Sequence, residues 1–123
     1  MHSLGHDERM IDVLKIDCEG CEWNVFPDIW KDLEKGVYRI GQILVEVHGT
    51  DFKRAAEFFE GARKAGYMIF SKERNHWGCN GFNCLEFGLV HLDVANRSAS
   101  LFGNLIASRP KVLEKKVSEN SHP

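Results

Sequence analysis

The sequence predicts an α/β fold with a mostly parallel sheet flanked by helices, and three observations carry that reading. Two short runs, IDVLKI at residues 11–16 and QILVEVH at 42–48, hold so little polar material that each reads as a strand buried on both faces. Behind each run lies a segment with apolar residues at three- and four-residue spacing, one stripe of an amphipathic helix. The resulting order of strand, helix, strand, helix, strand, long loop, strand favours right-handed βαβ crossovers.

The elements follow in chain order. Residues 1–10 are polar and without periodicity, and read as a flexible N-terminal segment. Residues 11–22, IDVLKIDCEGCE, read as a buried strand that delivers acidic side chains to the carboxyl edge of the sheet. From Glu22 to Lys35 an apolar stripe of Trp23, Val25, Phe26, Ile29, Trp30 and Leu33 predicts a helix. Pro27 is tolerated only near a helix start, which moves the expected first turn to Pro27 or Asp28, and Gly36 is the expected stop. The run at 42–48 reads as central and parallel. Asp51 is placed to cap a helix running to about residue 65, with Phe52, Ala55, Ala56, Phe59, Ala62 and Arg63 in register and Gly66 ending it. Residues 67–71 make a third strand. The polar stretch KERNHWGCNGFN leads to a fourth at 84–92, expected antiparallel because no helix intervenes. Beyond Asp93 only Leu101, Phe102, Leu105 and Ile106 form an apolar patch, and residues 109–123 read as a polar tail around a single domain at 11–108.

Bulk properties narrow the classes of function. At 123 residues the chain has room for one core, and its 43% hydrophobic and 28% charged shares are those of a globular protein. A net charge of −2 and a pI near 6.3 give no basic surface for nucleic acid. No run reaches the roughly eighteen apolar residues of a membrane span, and the N-terminal residues lack a signal peptide's apolar stretch, so the segment reads as soluble with its compartment unknown. Cys18, Cys21, Cys79 and Cys84 are too few for a disulfide scaffold. Their C-x2-C and C-x4-C spacings permit a zinc site if the pairs meet each other or His76; otherwise Cys18 and Cys21 are small packing residues.

Ligands of open α/β sheets bind at the carboxyl ends of strands, so those ends hold the candidate residues. The first strand ends in Asp17, Glu19 and Glu22, and the second supplies Glu46 and His48. Carboxylates and an imidazole gathered there would repel one another or share a cation or hydrogen-bond donors. A carboxylate closing an apolar strand, as Asp17 does, is costly unless bound to something. Glu22 reads first as an acidic residue at a helix N-terminus. Glu46 is either a satisfied buried acid or a ligand, and His48 before Gly49 is either a strand end or a functional group. Asn75, His76 and Trp77 lie in a loop able to close over a ligand, or form a surface hairpin with Trp77 packed on the sheet edge.

With those residues in place, IDVLKIDCEGCEW resembles the D-x-LKID-x-EG-x-E signature of FkbM-type and related methyltransferase-like proteins. QILVEVHG and FFEGARKAGYMIFSKERN resemble the strand, helix and strand that follow it in that group, so the likeness covers about residues 11–92. The resemblance implies a partial Rossmann-like sheet corresponding to strands four to seven, one of them antiparallel, and S-adenosylmethionine as cofactor. It implies Asp17 as a catalytic residue beside methyl donor and acceptor, with Asp17, Glu19 and Gly20 toward the cofactor. By analogy with metal-assisted sugar O-methyltransferases it makes Asp17, Glu46 and His48 candidate ligands of a divalent cation, and a small molecule or sugar the acceptor.

The family's glycine-rich loop and ribose-binding acid should precede residue 11, where only ten residues stand and none form a G-x-G pattern. The expected function is therefore a fragment of an S-adenosylmethionine-dependent methyltransferase that binds the cofactor weakly or not at all alone. The alternative is a non-catalytic α/β interaction module derived from that fold. In either case the first strand lacks a neighbour, and its free edge invites self-association.

Overall fold

The computed structural model describes residues 10–49, 51–77, 79 and 83–107, with 102–107 described by backbone alone. Along the chain run β1 (Met10–Ile16), α1 (Glu22–Glu34), β2 (Arg39–His48), α2 (Phe52–Lys64), β3 (Tyr67–Arg74), β4 (Cys84–His91) and α3 (Leu92–Ala107). The architecture is α/β. Four strands form one sheet in the order β1-β2-β4-β3. β1 and β2 are parallel, and β4 runs antiparallel to both β2 and β3. The antiparallel placement of the last two strands matches the expectation from their helix-free connection.

The interior lies on one face of the sheet. Strand alternation points Ile43, Val45 and Val47 of β2 and Phe87 and Leu89 of β4 the same way, and all are buried. Phe26 and Trp30 of α1 and Phe58 and Ala62 of α2 cover them. Phe58 meets Phe26 edge-on at 4.8 Å and Trp30 at 5.5 Å between ring centroids, a geometry aromatic pairs favour. Tyr67 closes this cluster from β3 and donates its hydroxyl to the Ile40 carbonyl at 2.6 Å. Burial pushes the Tyr67 hydroxyl's pKa up to about 12, against the opposing pull of that hydrogen bond.

Four expectations are corrected. β1 is not buried on both faces: it is the sheet's edge, its residues alternate between half-buried and exposed, and Val13 is 49% exposed. An apolar run reads the same whether its second neighbour is present or not. α1 begins at Glu22, with Pro27 inside it. Pro27 is exposed, while Phe26 and Trp30 bury the opposite side, so packing outweighs the lost backbone bond. In α2 the core residue is Phe58; Phe52 is 87% exposed, since its side chain lies off the stripe that Phe58 and Ala62 define. Finally, residues 92–107 are helical despite Asn96, Ser98, Ser100 and Gly103, which are poor helix formers individually. The first nine residues and the tail at 109–123 lie outside the described residues. Among the described residues no helix is long and apolar enough to cross a membrane.

The α1–α2 contact is close enough to require a glycine. A Cβ on Gly61 would collide with the Trp30 indole, reaching 2.8 Å from its Cγ. Alanine in a helix interior normally stabilises by up to about 1 kcal/mol relative to glycine, whereas overpacking costs about 1–3 kcal/mol. Gly61→Ala is therefore expected to lower stability by about 1–2 kcal/mol in urea unfolding. A variant as stable as the parent or more so would show that the helices separate freely.

Candidate functional site

β1 and β2 lie side by side and point the same way, so their carboxyl ends open onto one place. The chain leaves β1 through Asp17 and a tight turn, Cys18-Glu19-Gly20-Cys21. Both central residues are left-handed, Glu19 at φ 56° and Gly20 at φ 107°. That conformation suits glycine but costs a residue such as glutamate on the order of 1 kcal/mol or more. Two devices hold it: a disulfide between Cys18 and Cys21, and the side chain of Glu22.

Glu22 is 0% exposed, the most buried polar residue described. Its Oε1 accepts from the Cys18 amide at 3.0 Å and its Oε2 from the Gly20 amide at 2.9 Å. The same Oε1 lies 3.1 Å from His48 Nδ1. A carboxylate can only accept, so this contact assigns the proton to Nδ1 and leaves Nε2 with its lone pair outward in the neutral ring. Trp23 steadies the other side of His48 by donating Nε1 to its carbonyl at 2.6 Å. Glu22 is thus the organiser of the turn and the orienter of His48, as well as the acidic residue expected in the first turn of α1.

His48 Nε2 faces three more carboxylates. Glu19 Oε2 is 3.4 Å away, Glu46 Oε1 3.9 Å and Asp17 Oδ1 4.0 Å. Asp17 and Glu19 are exposed; Glu46 is buried and accepts from Asn75 Nδ2 at 2.8 Å. Asn75 Oδ1 in turn accepts the Trp77 amide at 2.8 Å. Asp17, Glu46 and His48 are therefore gathered, and Asn75 is tied to them. His76 is exposed, and Trp77 presents an indole 89% exposed rather than packing on the sheet edge. Gly20 sits in the turn, but its amide is already engaged by Glu22.

The four cysteines do not meet. Cys79 and Cys84 form a second disulfide, so the zinc site that the spacing permits between the two pairs is not formed, and Cys18 and Cys21 are linked to each other rather than being separate packing residues. Two features escaped the sequence reading: the inward reach of Glu22 and the Trp23 bond to His48. The signal for the first was its position two residues after Gly20, the right reach to turn back on the preceding amides.

The arrangement can bind a cation, hold a hydroxyl-bearing molecule against carboxylates, or take up its proton. A protein family described as a methyltransferase domain matches residues 1–91, which span every residue of the site. Neither the curated proteins nor the solved structures offer a match to the chain.

Removing the organising carboxylate tests this geometry. Glu22→Ala leaves the Cys18 and Gly20 amides without their partner, and is expected to cost about 2–5 kcal/mol of unfolding free energy. Chemical denaturation measures it, and a loss below about 1 kcal/mol would mean that the turn holds itself.

Proposed function

The chain belongs to this methyltransferase-domain family, and from that premise we propose that it forms the second half of an S-adenosylmethionine-dependent methyltransferase domain, acting on a hydroxyl of a small molecule or sugar. One observation carries the reading: Asp17, Glu46 and His48 stand together at the carboxyl ends of two adjacent parallel strands, where such sheets bind ligands. Two others support it. The sheet has three strands running one way and one against them, the pattern expected of strands four to seven. Among the described residues its second face is sparsely covered, leaving Val13, Met68 and Phe70 about half exposed, as a half-domain awaiting its partner half would.

In this reading Asp17 takes the acceptor's hydroxyl proton, a role worth about 10²–10⁴ in rate. Its exposed carboxylate is free to do so, whereas Glu22 is fully engaged. Asp17 and Glu46 each approach Nε2 of His48, at 4.0 and 3.9 Å, and are donors of the type a divalent cation takes; they do not share one ligand group, so a cation polarising the hydroxyl would need side-chain rotation to engage all three. Asn75 and Trp77 lie where an acceptor would approach.

The cofactor's own fit is incomplete. Glu19 and Asp17 offer carboxylates to a cationic group, but the Cys18 and Gly20 amides are occupied by Glu22 and the described residues contain no glycine-rich strand-to-helix turn. This chain thus contributes the acceptor side, and no step is assigned through the cofactor. A second reading, a non-catalytic association module, is favoured by the edge of β1, which pairs with no further strand among the described residues, and by the exposed Val13.

Two measurements separate them. In protein that also carries a cofactor-binding half, Asp17→Asn is expected to cut methyl transfer to a polyhydroxylated acceptor at least about 100-fold without changing the melting temperature. Undiminished turnover removes Asp17 from the chemistry, and absence of any transfer in the parent protein favours the association module.

A further inference from the structure

The second disulfide lies against the same histidine. β4 pairs with β2 so that Cys84 stands directly across from His48. Cys79, Cys84, His48 and Glu46 each bring one donor atom within 4.8 Å of all the others. Cys84 is 3% exposed and Glu46 is buried, while Cys79 and His48 are half-buried, so the group is largely shielded from solvent. Cys18 and Cys21 belong to no such group; the cluster on their side of His48 is Asp17, Glu22 and His48 alone.

We propose that Cys79, Cys84, His48 and Glu46 form a zinc site that is switched by the thiol–disulfide state of the two cysteines. Two thiolates, one imidazole and one carboxylate are a tetrahedral ligand set for this borderline-soft ion, and a C-x4-C pair lies within the usual spacing of structural zinc ligands. Two sulfurs each about 2.3 Å from zinc stand about 3.8 Å apart, so opening the disulfide moves them in the required direction. The outer contacts are already built. Glu22, wholly buried, holds His48 by Nδ1 and leaves Nε2 for the metal; Asn75 orients Glu46. Histidine ligands of zinc generally have such a carboxylate behind them.

The switching step balances with a dithiol as reductant. One of its thiolates attacks Sγ of Cys79, the more accessible sulfur, and Cys84 leaves as thiolate. The reductant's second thiolate then displaces Cys79 from the mixed disulfide. Two electrons pass to the protein, the reductant becomes a disulfide, and zinc binding releases the thiol protons to solvent. Because His48 and Glu46 are shared with the edge proposed for acceptor chemistry, zinc and that chemistry would exclude each other. The zinc site itself does not depend on the methyl-transfer reading.

The test uses the whole chain and Zn²⁺ alone. Protein is reduced with dithiothreitol, freed of it under nitrogen, and titrated against a chromophoric chelator beside the untreated disulfide form. Reduced protein is expected to bind one zinc per chain at least 1,000-fold more tightly than the oxidised form. Cys18→Ser/Cys21→Ser should keep that binding and Cys79→Ser/Cys84→Ser should lose it. Equal affinity in both redox states, or loss in the first variant, overturns the proposal. Should the second variant fail to fold, Co²⁺ decides: reduced Cys18→Ser/Cys21→Ser protein is expected to show thiolate-to-cobalt charge transfer with tetrahedral d–d bands, and their absence overturns it.

Discussion

The Glu22 carboxylate, sealed from solvent, receives the Cys18 and Gly20 amides and faces Nδ1 of His48, and these contacts join the turn after β1 to the end of β2. Burying a charged group costs several kcal/mol, which only good donors offset; hydrogen bonds to charged groups contribute about 1.5–3 kcal/mol each, enough when three converge. The consequence spreads outward. The turn is held in its left-handed form, Asp17 and Glu19 are left on the open side, and His48 turns its second nitrogen toward Glu46. What reaches the site is thus set by one residue sealed behind His48.

Sheet order explains why these loops meet. Parallel pairing of β1 and β2 brings Asp17 beside His48, and the insertion of antiparallel β4 between β2 and β3 carries Cys84, with Asn75 and Cys79, to the same end. Each of the two loops is closed by its own disulfide. Such links persist in oxidising surroundings and open in reducing ones, so the edge of the sheet is sensitive to the compartment in a way its helical side is not.

Much of this was legible in the residues. Near-continuous apolar runs located β1 and β2, Asp51 announced the α2 cap it makes with the Lys53 and Arg54 amides, and Gly36 ended α1. Asp17, Glu46 and His48 could be named because strand ends are where polar residues after an apolar run must go. What stayed hidden depended on tertiary partners. Whether β1 had one neighbour or two is not a property of its own sequence. Pro27 looked like a boundary because propensity cannot weigh the burial of Phe26 and Trp30 on the other side of that helix. Glu22 looked like a helix-terminal acid because its three donors come from the backward turn and from a residue 26 positions away. The cysteines were legible as pairs, but their pairing within each loop depended on loop geometry.

The most direct test of Glu22 as organiser is the proton on His48. Nitrogen-15 chemical shifts of the His48 ring, recorded where the imidazole is neutral, should show hydrogen on Nδ1 and a bare Nε2, with Glu22→Gln perturbing that preference. A ring carrying its proton on Nε2 would contradict the account, because the nitrogen turned toward Asp17, Glu46 and Cys84 would then be a donor with nothing to offer a cation.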